Sequence, residues 1–118
     1  MTVEADLHAL LGALVGGRAF PDVAADGAAT PYIVYQQVGG TALAFLERAL
    51  PSKKNGRFQV AVWAATRKEA AAVGLQVENA MLLTTAFQVE AIGGPTADFD
   101  EETKLRGSRQ DFGIWSER

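Results

Sequence analysis

A chain of 118 residues, with 48% apolar and 21% charged side chains, suits a single domain large enough to bury roughly two-thirds of its unfolded surface. The absence of cysteine excludes disulfides and thiolate metal sites and fits a reducing compartment. A net charge of −3 gives no general attraction to nucleic acid or anionic membranes, and the glycine-interrupted N-terminal region, with Glu4 and Asp6, reads as neither signal peptide nor membrane span.

Thr2 is placed to cap a first helix whose inner stripe is Val3, Leu7, Leu10, Leu11 and Leu14, and Gly16-Gly17 ends it. His8, the only histidine, lies beside that stripe and reads as an ordinary surface or boundary residue. Arg18 to Asp22 forms a short extended piece ended by Pro21, followed by loop through Thr30. Tyr32 to Val38 is the first proper strand. It is β-branched and aromatic on both faces, so either both are covered or one is reserved for a partner.

Residues 41–56 are expected to form a long mobile loop. Leu43, Phe45, Leu46 and Leu50 resemble a helical turn or an extended arm, and Lys53-Lys54-Asn55-Gly56 a turn back into the next strand. Two readings stand: a flap on its own core, or an arm that packs on a neighbouring subunit. Arg48, Lys53, Lys54 and Arg57 make the only positive cluster.

Arg57 to Ala64 alternates as a half-buried strand, with Phe58, Val60, Val62 and Ala64 on one face and Arg57, Gln59, Ala61 and Trp63 on the other. Thr66-Arg67-Lys68-Glu69 fits a capping box. The helix it opens carries Ala70, Val73, Val77, Ala80 and Met81 at helical spacing, and Gly74 on the same stripe allows close approach to a sheet. Phe87 to Ala91 is a third strand, ended by Gly93-Gly94-Pro95. Asp98 to Glu102 reads as a solvated acidic loop without the ligand spacing of a calcium site. The last strand, Ser108 to Glu117, puts Trp115 on the same face as Trp63.

These elements predict an α+β fold: a four-stranded antiparallel sheet with two helices packed on one face, in the order α-β-β-α-β-β over a single domain spanning 1–118. The simplest spatial order of its strands is first, second, fourth, third. The other face keeps Trp63, Trp115, Gln59 and part of the Tyr32 strand, more aromatic surface than a monomer leaves wet. No phosphate loop, histidine pair, cysteine nucleophile or serine elbow is present, so no catalytic residue, metal or cofactor is expected. The aromatic strands also lack the basic interleaving of an RNA-binding sheet.

With the N-terminal helix, Arg18 to Ala24, Pro31 to Gln36, Arg57 to Val60 with Trp63, Thr66 to Ala70 and Asp111 to Trp115 in this order and spacing, the chain resembles the phage tail completion family, itself similar to tail terminators and head-tail connector proteins. The resemblance covers nearly the whole chain. It implies a non-enzymatic virion protein that forms a ring at the head-proximal end of the tail tube, after assembly in the host cytoplasm. The implied partners are further copies of itself, with a hexamer as one candidate ring, together with the tail tube protein and head-tail connector proteins; nucleic acid and membrane are not among them. The residues expected at interfaces are Trp63, Trp115 and Gln59 on the open face and Phe45, Leu46, Arg48, Lys53 and Lys54 in the basic segment. Asp98, Asp100 and Glu101 complete the set on the acidic side, since head-to-tail rings need two different complementary patches at opposite ends of a subunit. The competing readings are a small ligand-binding or enzymatic α+β domain and a nucleic-acid-binding module.

Overall fold

The Thr2 hydroxyl accepts the Ala5 N–H at 3.1 Å and opens helix α1 (Val3–Gly12) in a computed structural model that describes residues 2–42 and 50–118. Past α1, the Gly17 N–H donates to the Gly12 carbonyl at 2.8 Å around Gly16, whose φ of 61° a side chain would strain. Strand β1 (Ala19–Pro21) follows and runs parallel to β2 (Tyr32–Gly39). Next come β3 (Lys53–Ala64), helix α2 (Arg67–Leu83) capped by the Thr66 hydroxyl on the Glu69 N–H at 3.1 Å, β4 (Gln88–Phe99) and β5 (Arg106–Glu117).

The strands make one sheet in the order β1-β2-β3-β5-β4. From β2 onward the pairing is antiparallel and in the spatial order expected from the sequence. The expected four-stranded antiparallel sheet needs correcting to five strands and a mixed sheet, because Ala19–Pro21 pairs in parallel with Ile33, Val34 and Tyr35. Two boundaries also move. Lys53 to Gly56 is not a turn but the start of β3, held by pairing with Ile114 to Glu117. Gly93-Gly94-Pro95 does not end β4, which resumes pairing at Thr96 after a register shift. Gln110 stabilises that irregularity, since its amide nitrogen donates to the Gly93 carbonyl at 2.9 Å and to the Glu78 carboxylate of α2 at 2.7 Å.

The core lies on one side of the sheet. Leu7 and Leu11 of α1 and Val73, Val77 and Met81 of α2 join Ile33, Tyr35, Phe58, Val60, Val62, Phe112 and Ile114 in one buried cluster. Both helices therefore cover the same face, as the alternation of β3 and β5 requires. Gly74 sets the closeness of α2, for a Cβ there would lie 2.6 Å from the Ser108 hydroxyl oxygen.

Candidate functional site

The face of the sheet turned away from the helices carries the residues that the core leaves unused, in five rows fixed by register. Tyr32, Trp63, Gly107 and Asp98 make the first row, and Val34, Ala61, Arg109 and Thr96 the second. Gln36, Gln59, Asp111 and Ile92 make the third, Arg57, Gly113 and Glu90 the fourth, and Asn55, Trp115 and Gln88 the fifth. Trp63 and Trp115 thus occupy neighbouring strands on this face, both half-buried, at opposite ends of it.

At the Trp63 end the surface is apolar and concave. Phe20 packs edge-on against Tyr32, with ring centres 6.1 Å apart, and the Trp63 ring rests on Gly107. The loop after β1 and the turn between β4 and β5 raise walls around Tyr32, Val34 and Trp63, enclosing a shallow open hollow of about 640 Å³. Asp22, Asp26, Asp100 and Glu102 stand on those walls. Burial, and then the Asp100 carboxylate, push the Tyr32 hydroxyl above its ordinary pKa. Asp100 itself is held below the usual carboxylate value by the Thr103 hydroxyl, which donates at 2.8 Å, and by the Glu102 N–H at 3.1 Å.

Across the middle runs a polar ladder. Arg57 pairs with Asp111 at 2.8 Å, and Arg109 with Asp98 at 3.3 Å, and Gln59 lies opposite Asp111. At the far end Trp115 lies opposite Asn55, and Lys53 pairs with Glu117 at 3.3 Å. A second open hollow there has Trp115, Thr84 and Phe87 among its walls.

Of the residues expected at interfaces, Trp63, Trp115 and Gln59 share this face, and Asp100 and Glu101 lie in the turn beyond its Trp63 end. Asp98 sits in β4 rather than in a loop, and Lys53 and Lys54 sit in β3; Asp98 and Lys53 already have partners within their own subunit. Phe45, Leu46 and Arg48 fall in 43–49, outside the described residues. Lys53 and Lys54 lie where β3 begins, beside Glu117, and Asp98 and Asp100 lie at the end of β4 and just past it, beside Lys104, Arg106 and Arg109. Sequence reasoning missed Asp22 and Asp26, because their loop carried no periodicity, and it missed the ladder, whose partners meet only through register. Among the described residues no group of three or more His, Cys, Asp or Glu side chains could hold a metal ion, and no helix is long and apolar enough to cross a membrane.

The face thus carries aromatic side chains at both ends and a ladder of ion pairs between them. The family profile for tail completion protein gp17 matches residues 5–117 of the 118. The chain belongs to that family. No match to it was found among curated proteins. This tail completion protein is accordingly a structural component of a phage tail, found in the virion and in contact with other tail or head proteins. The profile spans α1 through β5, so the open face and the loops around its hollow are part of the tail-completion domain.

Proposed function

We propose that this tail completion protein forms a ring at the head-proximal end of the tail tube, where it terminates the tail and helps join it to the head. The observation that carries the reading is the uncovered sheet face, whose two ends differ in chemistry. An acidic apolar hollow lies at one end, and a tryptophan beside Lys53 lies at the other. A surface with two unlike ends suits heterologous contacts, which close into rings when the rotation between subunits allows. The subunit is predominantly monomeric when isolated and associates on the tube, with the tail tube protein and head-tail connector proteins as its other partners. The segment Thr41 to Ser52 acts as a docking arm in that assembly. The protein works by contact alone.

The test is deletion of the gene in an inducible prophage, with the particles examined by electron microscopy. Unjoined heads beside tails that are absent or of irregular length are expected. Normal infectious virions would overturn the reading.

A further inference from the structure

We infer that the hollow over Trp63 is a docking site for an arginine borne on an apolar segment of another tail or head protein. The contact rests on the reading above and names the chemistry of one partner. Trp63, resting on Gly107, borders the hollow together with Tyr32 and Val34, so the floor is aromatic and apolar. Asp22, Asp26, Asp100 and Glu102 stand on the walls, and among the described residues that line the hollow there is no lysine or arginine. Lys104 and Arg106, which follow the same turn, lie instead over the Phe99 ring, at 5.9 and 4.3 Å from its centre. Phe99 alternates to the face opposite Asp98, the side that bears the helices. The wall carboxylates are also held in place. The Thr103 hydroxyl and the Glu102 N–H donate to Asp100 at 2.8 and 3.1 Å, and Asp22, at φ 65°, donates its own N–H to the Tyr35 carbonyl at 2.9 Å.

An aromatic floor ringed by carboxylates selects among the cations that a protein partner offers. A guanidinium stacks on an indole and forks onto carboxylates, whereas the lysine ammonium is a strongly hydrated point charge. Val23, 76% exposed at the rim, gives the apolar neighbours of such an arginine a surface to pack on. The described arginines of this chain are already engaged within their own subunit. Arg57 and Arg109 hold Asp111 and Asp98, and Arg18, Arg67, Arg106 and Arg118 donate to backbone carbonyls. A second copy therefore presents none of these six freely, which assigns the incoming arginine to a different protein. Fixed opposite charges of this kind set orientation and partner choice as well as affinity.

The test is a titration of the isotopically labelled full-length protein, followed by nuclear magnetic resonance. The probes are the peptide acetyl-Ala-Leu-Arg-Leu-Ala-amide and its counterparts with lysine or citrulline, the neutral isostere of arginine, at the centre. Expected is a saturable shift of the Trp63 indole N–H and the Gly27 amide with the arginine peptide, while the Trp115 indole stays in place. Binding should weaken several-fold with lysine and further with citrulline. It should also weaken several-fold in the Asp22→Asn, Asp26→Asn double variant, since asparagine tolerates the same backbone. No saturable shift at millimolar peptide, equal movement of the Trp115 indole, equal binding of the lysine or citrulline peptide, or unchanged binding by the double variant each overturns the inference. So does binding that appears only in an Arg48→Gln variant, because the hollow is then filled by the chain's own arginine. In the prophage lacking its own copy, a chain with Asp26→Lys and Glu102→Lys should fail to complete tails. Normal virions with that chain overturn the inference and leave the tail-completion reading standing, whereas normal virions from the gene deletion strike at the reading itself.

Discussion

Gly74 and Ser108 meet where α2 lies on β5, and the contact is tight enough to set the sign of a substitution. Gly74→Ala gains about 1 kcal/mol of helix propensity. Its new methyl group would sit 2.6 Å from the Ser108 oxygen, and overpacking of that kind costs about 1–3 kcal/mol. A lower urea midpoint is expected for Gly74→Ala, with the sign reversed in a Ser108→Gly background. Two tyrosines report on pH. Burial raises the pKa of Tyr32 and Tyr35 above 10.0, helped by Asp100 for the first and by Asp22 and Glu4 for the second. A group that holds its proton more tightly when folded contributes stability fully below its unfolded pKa, and that contribution is lost as the pH rises through the folded value. Urea midpoints should therefore fall as pH climbs above 10, and Tyr32→Phe should flatten part of the decline.

The β4–β5 hairpin beyond the irregularity depends on one side chain of α2. The Arg67 guanidinium donates to the carbonyls of Gly107 and Asp98, both at 2.6 Å, and so clamps the two strands together at the N-terminus of the helix. Removing it by Arg67→Ala should cost about 1 kcal/mol, the low end for charged hydrogen bonds at a partly exposed site. Hydrogen exchange locates the loss: amides from Thr96 to Phe99 should exchange faster while those of Phe58 to Val62 stay protected, and Arg67→Lys, a point charge without the fork, should recover only part. How well the elements could be read from sequence follows from how many residues vote. Alternation over eight residues placed β3, the phase of Val62 against Trp63 and of Ile114 against Trp115 gave both faces, and the simplest connectivity gave the order of the four antiparallel strands. Three residues ending in proline could be read as extended but not as paired, which is why β1 was missed. Gly93-Gly94-Pro95 looked like punctuation because the Gln110 amide that stabilises it comes from another strand. The candidate site divides in the same way. Trp63 and Trp115 follow from period two, whereas the joining of Asp22 and Asp26 to Asp100 depends on where two loops fold.

At the scale of the molecule, whose longest extent is 52 Å, Lys53 and Lys54 lie at one end of the strands and Asp98 and Asp100 at the other. Lys53 is engaged with Glu117, so Lys54, which has no ion-pair partner among the described residues, is the cleaner probe of contact between subunits. Lys54→Glu should slow association in low salt and leave it unchanged near 1 M, where charges are screened beyond about 3 Å. An unchanged rate in low salt would separate assembly from this charge. The two borders of the sheet matter in a different way. An open border of unpaired backbone groups is a template on which strands from other chains can stack without limit. Here one border is β1, only three residues long and finished by Pro21. The other is β4, where Gly93 turns its carbonyl to Gln110, Pro95 has no N–H to offer, and the ladder slips between Ile92 and Thr96. Neither border presents an unbroken run. Borders so interrupted are poor templates for the edge-to-edge stacking that builds fibres.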